Sequence, residues 1–449
     1  MKKSILLFTI ISLFLISCEK EKQQTNEKCT VTHLDWSRNA VIYEVNVRQY
    51  TPEGTFEAFE SHLPRLKELG VDVLWFMPIH PISETNRKGT LGSYYAITDY
   101  KGVNPEFGTH EDFKHLVDKA HEMGFKILLD WVANHTGWDS QWLKDHPEWY
   151  ATNEEGEVIA PYDWTDVAEL NYDDLNMRCA MLDAMKFWVT EMNVDGFRCD
   201  VAYEVPTEFW NNARKELDNI KPMFMLAEAE APDLLEHAFD MDYGWELMHI
   251  MNNVAAGEKT ANDIFDYVQK LDTLICPDAY RMNFITNHDE NSWNGTEFER
   301  YGMGTNTFAV LTYVLNGMPL IYSGQETGMD KRLEFFEKDL IPCWEKNETF
   351  LFYKKLNQLK RTHPALLAGM EGGTLTRINT TENEKVLIIS REKGKNKLIA
   401  FLNLSAEPVS FALTDEVRNG IYTEYFTEKN LVELPTEMKP WEYKILVKK

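Results

Sequence analysis

The sequence predicts a (β/α)8 barrel carrying one small inserted subdomain and followed by an antiparallel β-sandwich. Three observations predict it. Eight short apolar runs rich in β-forming residues recur between positions 41 and 326, each followed by a loop and, in most cases, an amphipathic stretch. The connection after the third run is far longer than the others. From Gly372 onward the pattern changes to alternating segments that read as antiparallel strands.

The runs are VIYEVNV (41–47), VDVLWFMPI (71–79), FKILLDWV (125–132), DGFRCDVA (195–202), KPMFMLAEAE (221–230), AFDMDY (238–243), YRMNFITNHDE (280–290) and MPLIYSGQE (318–326). Most are continuously apolar, as parallel strands covered on both faces must be. Between the first two, Phe56, Phe59, Leu63, Leu66 and Leu69 recur at spacings of three and four, which predicts one helix with an apolar stripe ending at Gly70. A doubly wound open sheet commonly carries a glycine-rich phosphate loop after its first strand, and this chain has none there. Residues 134–175 are too long a connection to stay structureless in a compact domain, so they predict a subdomain over one barrel end. The barrel then comprises 36–133 and 176–369. The segments KVLIISRE, KLIAFLNLS and WEYKILVKK place the sandwich in 370–449.

The first residues, MKKSILLFTIISLFLISCEKEKQQTNEK, join two lysines to an apolar run from Ile5 to Ile16 and a small Ser17 before Cys18. This is an export signal over 1–17, too short to span a bilayer as a stable helix. LISC resembles a bacterial lipobox, which implies cleavage before Cys18, a lipid on its thiol and a tether over 18–35. The expected location is therefore the cell envelope, with the membrane touched only through the lipid. No later segment is long and apolar enough to cross a bilayer. With 46 Lys and Arg against 72 Asp and Glu, the formal charge of -26 repels nucleic acid and anionic headgroups. Once Cys18 is lipidated, Cys29, Cys179, Cys199, Cys276 and Cys343 form an odd set without CxxC spacing. Neither a disulfide framework nor a zinc site is expected, and Cys199 and Cys276 read as small core residues.

The C-terminal strand ends and their loops form the active face of such a barrel. Asp130, Asp200, Glu228 and Asp289 close or follow the third, fourth, fifth and seventh runs. One acid at a strand end ordinarily caps a helix or a solvated turn, but several around one mouth suit cleavage of a glycosidic bond. Its oxocarbenium-like transition state needs a carboxylate beneath the anomeric carbon and a carboxylic acid beside the leaving oxygen. Arg198 stands two residues before Asp200, points to the same face and can keep that carboxylate ionised. Crowding by other carboxylates and partial desolvation after the apolar MFML are expected to raise Glu228 toward a useful proton donor.

DWVANHT (130–136), GFRCD (196–200), LAEAE (226–230) and FITNHDE (284–290) resemble, in order, the four motifs of the α-amylase family of glycoside hydrolases. The resemblance runs from about Trp36 to Leu367. It implies a retaining mechanism with Asp200 as nucleophile, Glu228 as general acid/base and Asp289 as the carboxylate that stabilises the transition state. It also implies that His135, Arg198 and His288 line the subsite of the attacked glucose, and that Asp130 and Asn134 organise the mouth. GSYYAITDY resembles the segment that places Tyr95 beneath the sugar ring. The implied partner is an α-glucan or maltooligosaccharide, and no cofactor is required.

The chain departs from the family where many members follow the second motif with Lys-His, the histidine serving a calcium ion; here Tyr203 and Glu204 stand there. Calcium is therefore doubtful, with Asn134 and Asp166 or Asp173 as the remaining candidate oxygen ligands. Glu204 and the segment HPEWYATNEEGEVIAPYDWTDVAELNY resemble the neopullulanase and cyclomaltodextrinase branch, so hydrolysis or transglycosylation by such an enzyme is the alternative. A barrel that only binds glucan is the alternative from another class. Trp138, Trp142, Trp149 and Trp164 gather in the subdomain and read singly as core. Asp330 and Arg332 in MDKRLEFF read as solvated loop residues.

Overall fold

The computed structural model describes residues 29–415 and 421–448. The export signal and Cys18 lie outside the described residues. Eight parallel strands close a barrel: Ile42–Val45, Val73–Phe76, Lys126–Trp131, Gly196–Cys199, Phe224–Ala227, Met241–Tyr243, Tyr280–Asn283 and Met318–Tyr322. Each falls inside its predicted run, and nearly every strand residue is buried, which is why the runs read as continuous apolar stretches. Gly196 starts the fourth strand because a Cβ there would meet the Phe224 carbonyl oxygen at 1.8 Å.

The helix predicted over 56–70 is two helices, Phe56–Glu60 and Leu63–Leu69. Pro64 sits in the first turn of the second and has no N–H to continue the hydrogen-bond ladder of the first. The apolar stripe survives the break, since all five of its residues are buried. Gly70 ends the second helix at φ +88°, its N–H bonded to the Leu66 carbonyl at 3.1 Å.

Residues 134–175 fold over the mouth, with His135–Gly137 paired antiparallel to Val167–Glu169. Trp142 packs edge-on against Trp149 at 5.4 Å and joins the subdomain to Tyr100 at 4.7 Å, and Trp138 donates from its indole to the Thr165 carbonyl. The C-terminal region is a six-stranded sheet in the order Thr374–Arg377, Val386–Lys393, Asn396–Asn403, Tyr443–Lys448, Tyr422–Glu424, Asn430–Leu431, with Val409–Ser410 and Glu437–Met438 forming a separate ribbon. Its residues alternate: Ile388, Ile399, Phe401 and Leu446 face an inner core with Val409 and Met438, whereas Leu387, Ile389, Leu398 and Ala400 join the core of the barrel.

Two expectations about the N-terminal side are corrected. Cys29 and Cys276 are joined by a disulfide across 247 positions, so Cys276 is no free core thiol. Cys199 is buried and free as expected, while Cys179 and Cys343 are exposed and free. Parity and short spacing miss a bridge of this kind, because neither registers two cysteines brought together only by the closed barrel. Thr30 and His33, expected in the tether, are docked on the barrel. Thr30 N–H bonds to the Glu236 carbonyl at 2.8 Å, His33 Nδ1 lies 3.0 Å from Asp240, and Trp36 packs against Phe224. These contacts all lie at the N-terminal ends of the strands, opposite the mouth.

Candidate active site

Arg198 is the hub of the mouth. It faces inward from the fourth strand with no exposed surface, in register with Asp130 on the third. Its Nη1 donates to Asp130 Oδ1 and Asp200 Oδ1, each at 2.9 Å, and its Nε donates to the Tyr243 hydroxyl at 3.0 Å. Nη2 lies 2.8 Å from Glu228 Oε1, forming an ion pair with a third carboxylate. Asp130 is fully buried and also accepts from the Trp75 indole at 3.0 Å and the Tyr95 hydroxyl at 3.1 Å. It therefore anchors the arrangement, while Asp200 and Glu228, 7% and 8% exposed, can still be reached from the cleft.

The turn after the fourth strand ties these two carboxyls together. Val201 lies in the left-handed region at φ 35°, which a β-branched side chain rarely adopts. In that conformation its N–H donates to Glu228 Oε2 at 2.8 Å, while Glu228 N–H reaches back to the Cys199 carbonyl. Burial pushes the Asp200 carboxyl well above the usual carboxylate range. The charges of Glu228, Asp130 and Asp289 add to that push, and Arg198 opposes it. Arg198 was expected to prevail, but one guanidinium is divided among three carboxylates.

Asp289 completes the ring from the far side, its side chain more open than the other two at 36% exposure. Its Oδ2 stands 3.4 Å from His288 Nε2, and the same nitrogen is 2.8 Å from the Tyr95 hydroxyl. On the other ring nitrogen, Glu44 approaches to 2.5 Å. Burial works against charge on His288, but Asp289 and Glu44 outweigh it and raise the imidazole to about 9, so it is a cation at neutral pH. His135 is the opposite case: burial lowers it to about 4 and it stays neutral. Asn134 holds that ring through a 3.2 Å contact to Nδ1 and, through its carbonyl, accepts from Leu170 N–H of the subdomain.

All nine residues singled out in the sequence, Asp200, Glu228, Asp289, Tyr95, His135, Arg198, His288, Asp130 and Asn134, thus stand at the C-terminal end of the barrel or in the subdomain strand that leaves it. Three further contributors escaped the sequence reading. Glu44 is a lone acid in an apolar run, the signal that marked Arg198, but it belongs to no quoted motif. Trp75 and Tyr243 sit at apolar positions, and their polar tips become visible only when the strands are placed side by side. Asp330 accepts from the Thr296 hydroxyl, and Arg332 pairs with Glu299 on the helix Glu297–Tyr301; both brace the loop after the eighth strand.

The acids among the calcium ligands suggested by the sequence are otherwise engaged or exposed. Asp166 is buried and ion-paired to Lys88 at 2.9 Å, Asp173 is exposed, and Glu204 is hydrogen-bonded by the Tyr162 hydroxyl. Among the described residues, no group of three or more His, Cys, Asp and Glu side chains could hold a metal ion.

A closed eight-stranded barrel with buried carboxylates gathered on one arginine at its C-terminal mouth defines the class: a (β/α)8 protein of the glycoside hydrolase type. Residues 23–155 and 146–340 match the model of the alpha-amylase catalytic domain, and the chain belongs to that family. It is 29% identical over 400 residues to an alpha-amylase of Haloarcula japonica, covering 84% of this chain and 57% of that protein, so it spans little more than half the length of that relative. A maltogenic alpha-amylase of Bacillus acidopullulyticus is 26% identical over 88% of this chain and 70% of its own. Among solved structures, a maltogenic alpha-amylase of Thermotoga neapolitana superposes with a TM-score of 0.84 at 30% identity, over 92% of this chain and 99% of its own.

Proposed function

We propose that this protein is a retaining hydrolase of α-1,4-glucosidic bonds in starch-like glucans or maltooligosaccharides. The observation that carries the reading is the single guanidinium of Arg198 contacting Asp130, Asp200 and Glu228 at once. That hub holds a nucleophile and a proton donor close together, as double displacement requires, whereas an inverting enzyme separates its two carboxyls to admit a water.

Asp200 attacks the anomeric carbon while Glu228 protonates the departing oxygen, leaving a covalent glycosyl-enzyme. Glu228, now a carboxylate, takes a proton from the incoming water, and Asp200 departs. Burial and the charges of Glu228, Asp130 and Asp289 favour a proton on Asp200, Arg198 opposes it, and Asp200 must be ionised to attack. Cationic His288 and Asp289 bind sugar hydroxyls from the far side, neutral His135 does so from the subdomain, and Tyr95 lies beneath the ring.

We further propose that no calcium serves the site suggested at Asn134 and Asp166. The Lys88 ammonium already balances the buried Asp166 carboxylate. Export and lipid attachment at Cys18 are part of the same proposal, supported by the lipobox-like LISC and by the Cys29–Cys276 disulfide, a bond that persists in oxidising compartments. Hydrolysis or transglycosylation of cyclodextrin or pullulan, as in a neopullulanase or cyclomaltodextrinase, is the second reading; Glu204 and the segment HPEWYATNEEGEVIAPYDWTDVAELNY favour it. Incubating the purified protein with amylose, maltoheptaose, pullulan and cyclodextrin and sizing the products decides between them. Linear maltooligosaccharides from amylose are the expected result, and no cleavage of any of the four would leave a glucan-binding barrel.

A further inference from the structure

His288 is hemmed in by acceptors. Tyr95 has one hydroxyl proton and donates it to Asp130 Oδ2 at 3.1 Å, so its oxygen, 2.8 Å from His288 Nε2, accepts from that nitrogen. Asp289 Oδ2, 3.4 Å away, is a second acceptor facing Nε2–H. At the other nitrogen, Glu44 Oε1 lies 2.5 Å from Nδ1, and an ionised carboxylate only accepts. Both ring nitrogens therefore carry a proton, and His288 is held as an imidazolium between the carboxylates of Glu44 and Asp289.

Glu44 is the third residue of the first strand, fully buried, in register with Trp75 on the second and Tyr322 on the eighth. No sugar reaches it. Its Oε2 has no hydrogen-bond partner among the described residues, and a buried carboxylate left half-satisfied weakens a fold, so its bond to His288 is what the residue contributes. The groups facing the ring are Glu44 from the first strand, Tyr95 from the loop after the second, Asp130 from the third, Arg198 from the fourth and the adjoining Asp289; the loop after the eighth brings the apolar Phe335. Burial and Arg198 oppose a charge on the ring, and Asp289 and Glu44 overcome them. Asp289 depends on the same ring, since His288 Nε2 is the only cation paired with its carboxylate among the described residues.

We propose that Glu44 is a positioning residue for the reaction: by accepting from Nδ1 it keeps the His288 ring doubly protonated, and Nε2–H in turn holds the Asp289 carboxylate and the Tyr95 hydroxyl in the arrangement that receives the sugar. The proposal rests on the hydrolase reading above. Glu44 acts only through the ring. Glu44→Gln keeps an acceptor at Nδ1 but removes the charge, so the ring loses its Nε2 proton at a lower pH. The bare Nε2 lone pair then faces the Asp289 carboxylate, and an attraction becomes a repulsion. Tyr95 in turn swings its proton from Asp130 to Nε2, and one partner of the buried Asp130 carboxylate is lost.

The test is nitrogen NMR of the protein labelled with 15N-histidine, the His288 signals being those missing from His288→Gln. In the wild type both His288 nitrogens should be protonated at pH 7.5; a neutral ring there overturns the proposal without recourse to any variant. In Glu44→Gln the ring should titrate about 1–3 units lower, and a titration that does not move overturns it as well. Kinetics on a chromogenic maltooligosaccharide supply the second readout. Relative to wild type, kcat/KM of Glu44→Gln should stay within about threefold at pH 5.5 and fall by roughly tenfold or more at pH 8.5, whereas a merely structural residue would lower it equally at both. Glu44→Asp, which keeps the charge, should recover part of the loss at pH 8.5. If the wild-type protein cleaves no glucan, it is the hydrolase reading that fails, and the NMR titration still judges the pairing of Glu44 with His288.

Discussion

Replacing Arg198 with methionine keeps most of the side chain's length and removes its charge from contact with three carboxylates and a tyrosine. Two consequences can be worked from the geometry. An opposite charge in direct contact lowers a carboxyl pKa by about 1–3 units, and Arg198 is what opposes the upward push on Asp200. In Arg198→Met the acid limb of kcat/KM against pH should therefore move to higher pH by about that amount, since this limb reports ionisation in the free enzyme. Stability should fall by about 3–5 kcal/mol near neutral pH, the usual result of stripping a buried charge from its partners. The loss should shrink in acid, where the carboxyls take up protons. At an unfolding entropy near 2 cal/mol/K per residue, a chain of 449 residues loses about 1 °C of Tm per kcal/mol, so Tm should drop by roughly 3–5 °C. Arg198→Lys should fall between, because one ammonium keeps the charge but cannot reach all four partners. The assays are a pH–rate profile on a chromogenic maltooligosaccharide and melts at several pH values. An acid limb that does not move in Arg198→Met would refute the argument that this guanidinium opposes protonation of the nucleophile.

Asp200→Asn should abolish turnover by many orders of magnitude while raising Tm at neutral pH. A carboxyl whose folded pKa lies above its unfolded value stabilises the fold in acid and loses that contribution as pH rises, and asparagine has no such loss. His288, raised to about 9 from 6.5, contributes about 3 kcal/mol that is fully present below pH 6.5 and lost as pH climbs through 9. Melts at pH 6 and pH 9.5 should show a larger alkaline drop in wild type than in His288→Gln. Replacing Cys29 and Cys276 with serine should cost about 2–5 kcal/mol, read as a lower Tm without change in kcat. EDTA should leave Tm unchanged, whereas Lys88→Met, which strands the Asp166 carboxylate, should lower it.

The barrel was legible because strands covered on both faces leave no polar alternation to blur them, so each run from VIYEVNV to MPLIYSGQE could be bounded by where it stopped being apolar. The mouth was legible for a related reason: Arg198, Asp200 and Asp130 interrupt or end apolar runs, and a charge there needs a partner. Glu44 sent the same signal and was passed over, since its partner His288 lies 244 positions away. The helix break before Leu63 stood in the sequence as Pro64, but the apolar spacing continued through it and masked it. Tyr243 and Trp75 could not have been found, because a hydroxyl or indole in a hydrophobic strand looks like core until the opposing arginine or aspartate is in place. The Cys29–Cys276 bridge depends on barrel closure and has no local trace.

The C-terminal sheet carries apolar side chains on both faces, and one of those faces belongs to the barrel. Arg391 donates to the Val314 carbonyl at the end of the helix that feeds the eighth strand, and Trp441 lies 5.9 Å from Phe308 on that same helix. The region is therefore not a detachable module. Cutting the chain near residue 370 would bare Leu387's and Leu398's neighbours on the barrel wall to water, so any shortened version of this protein should be judged by its solubility before its lost activity is blamed on the cleft.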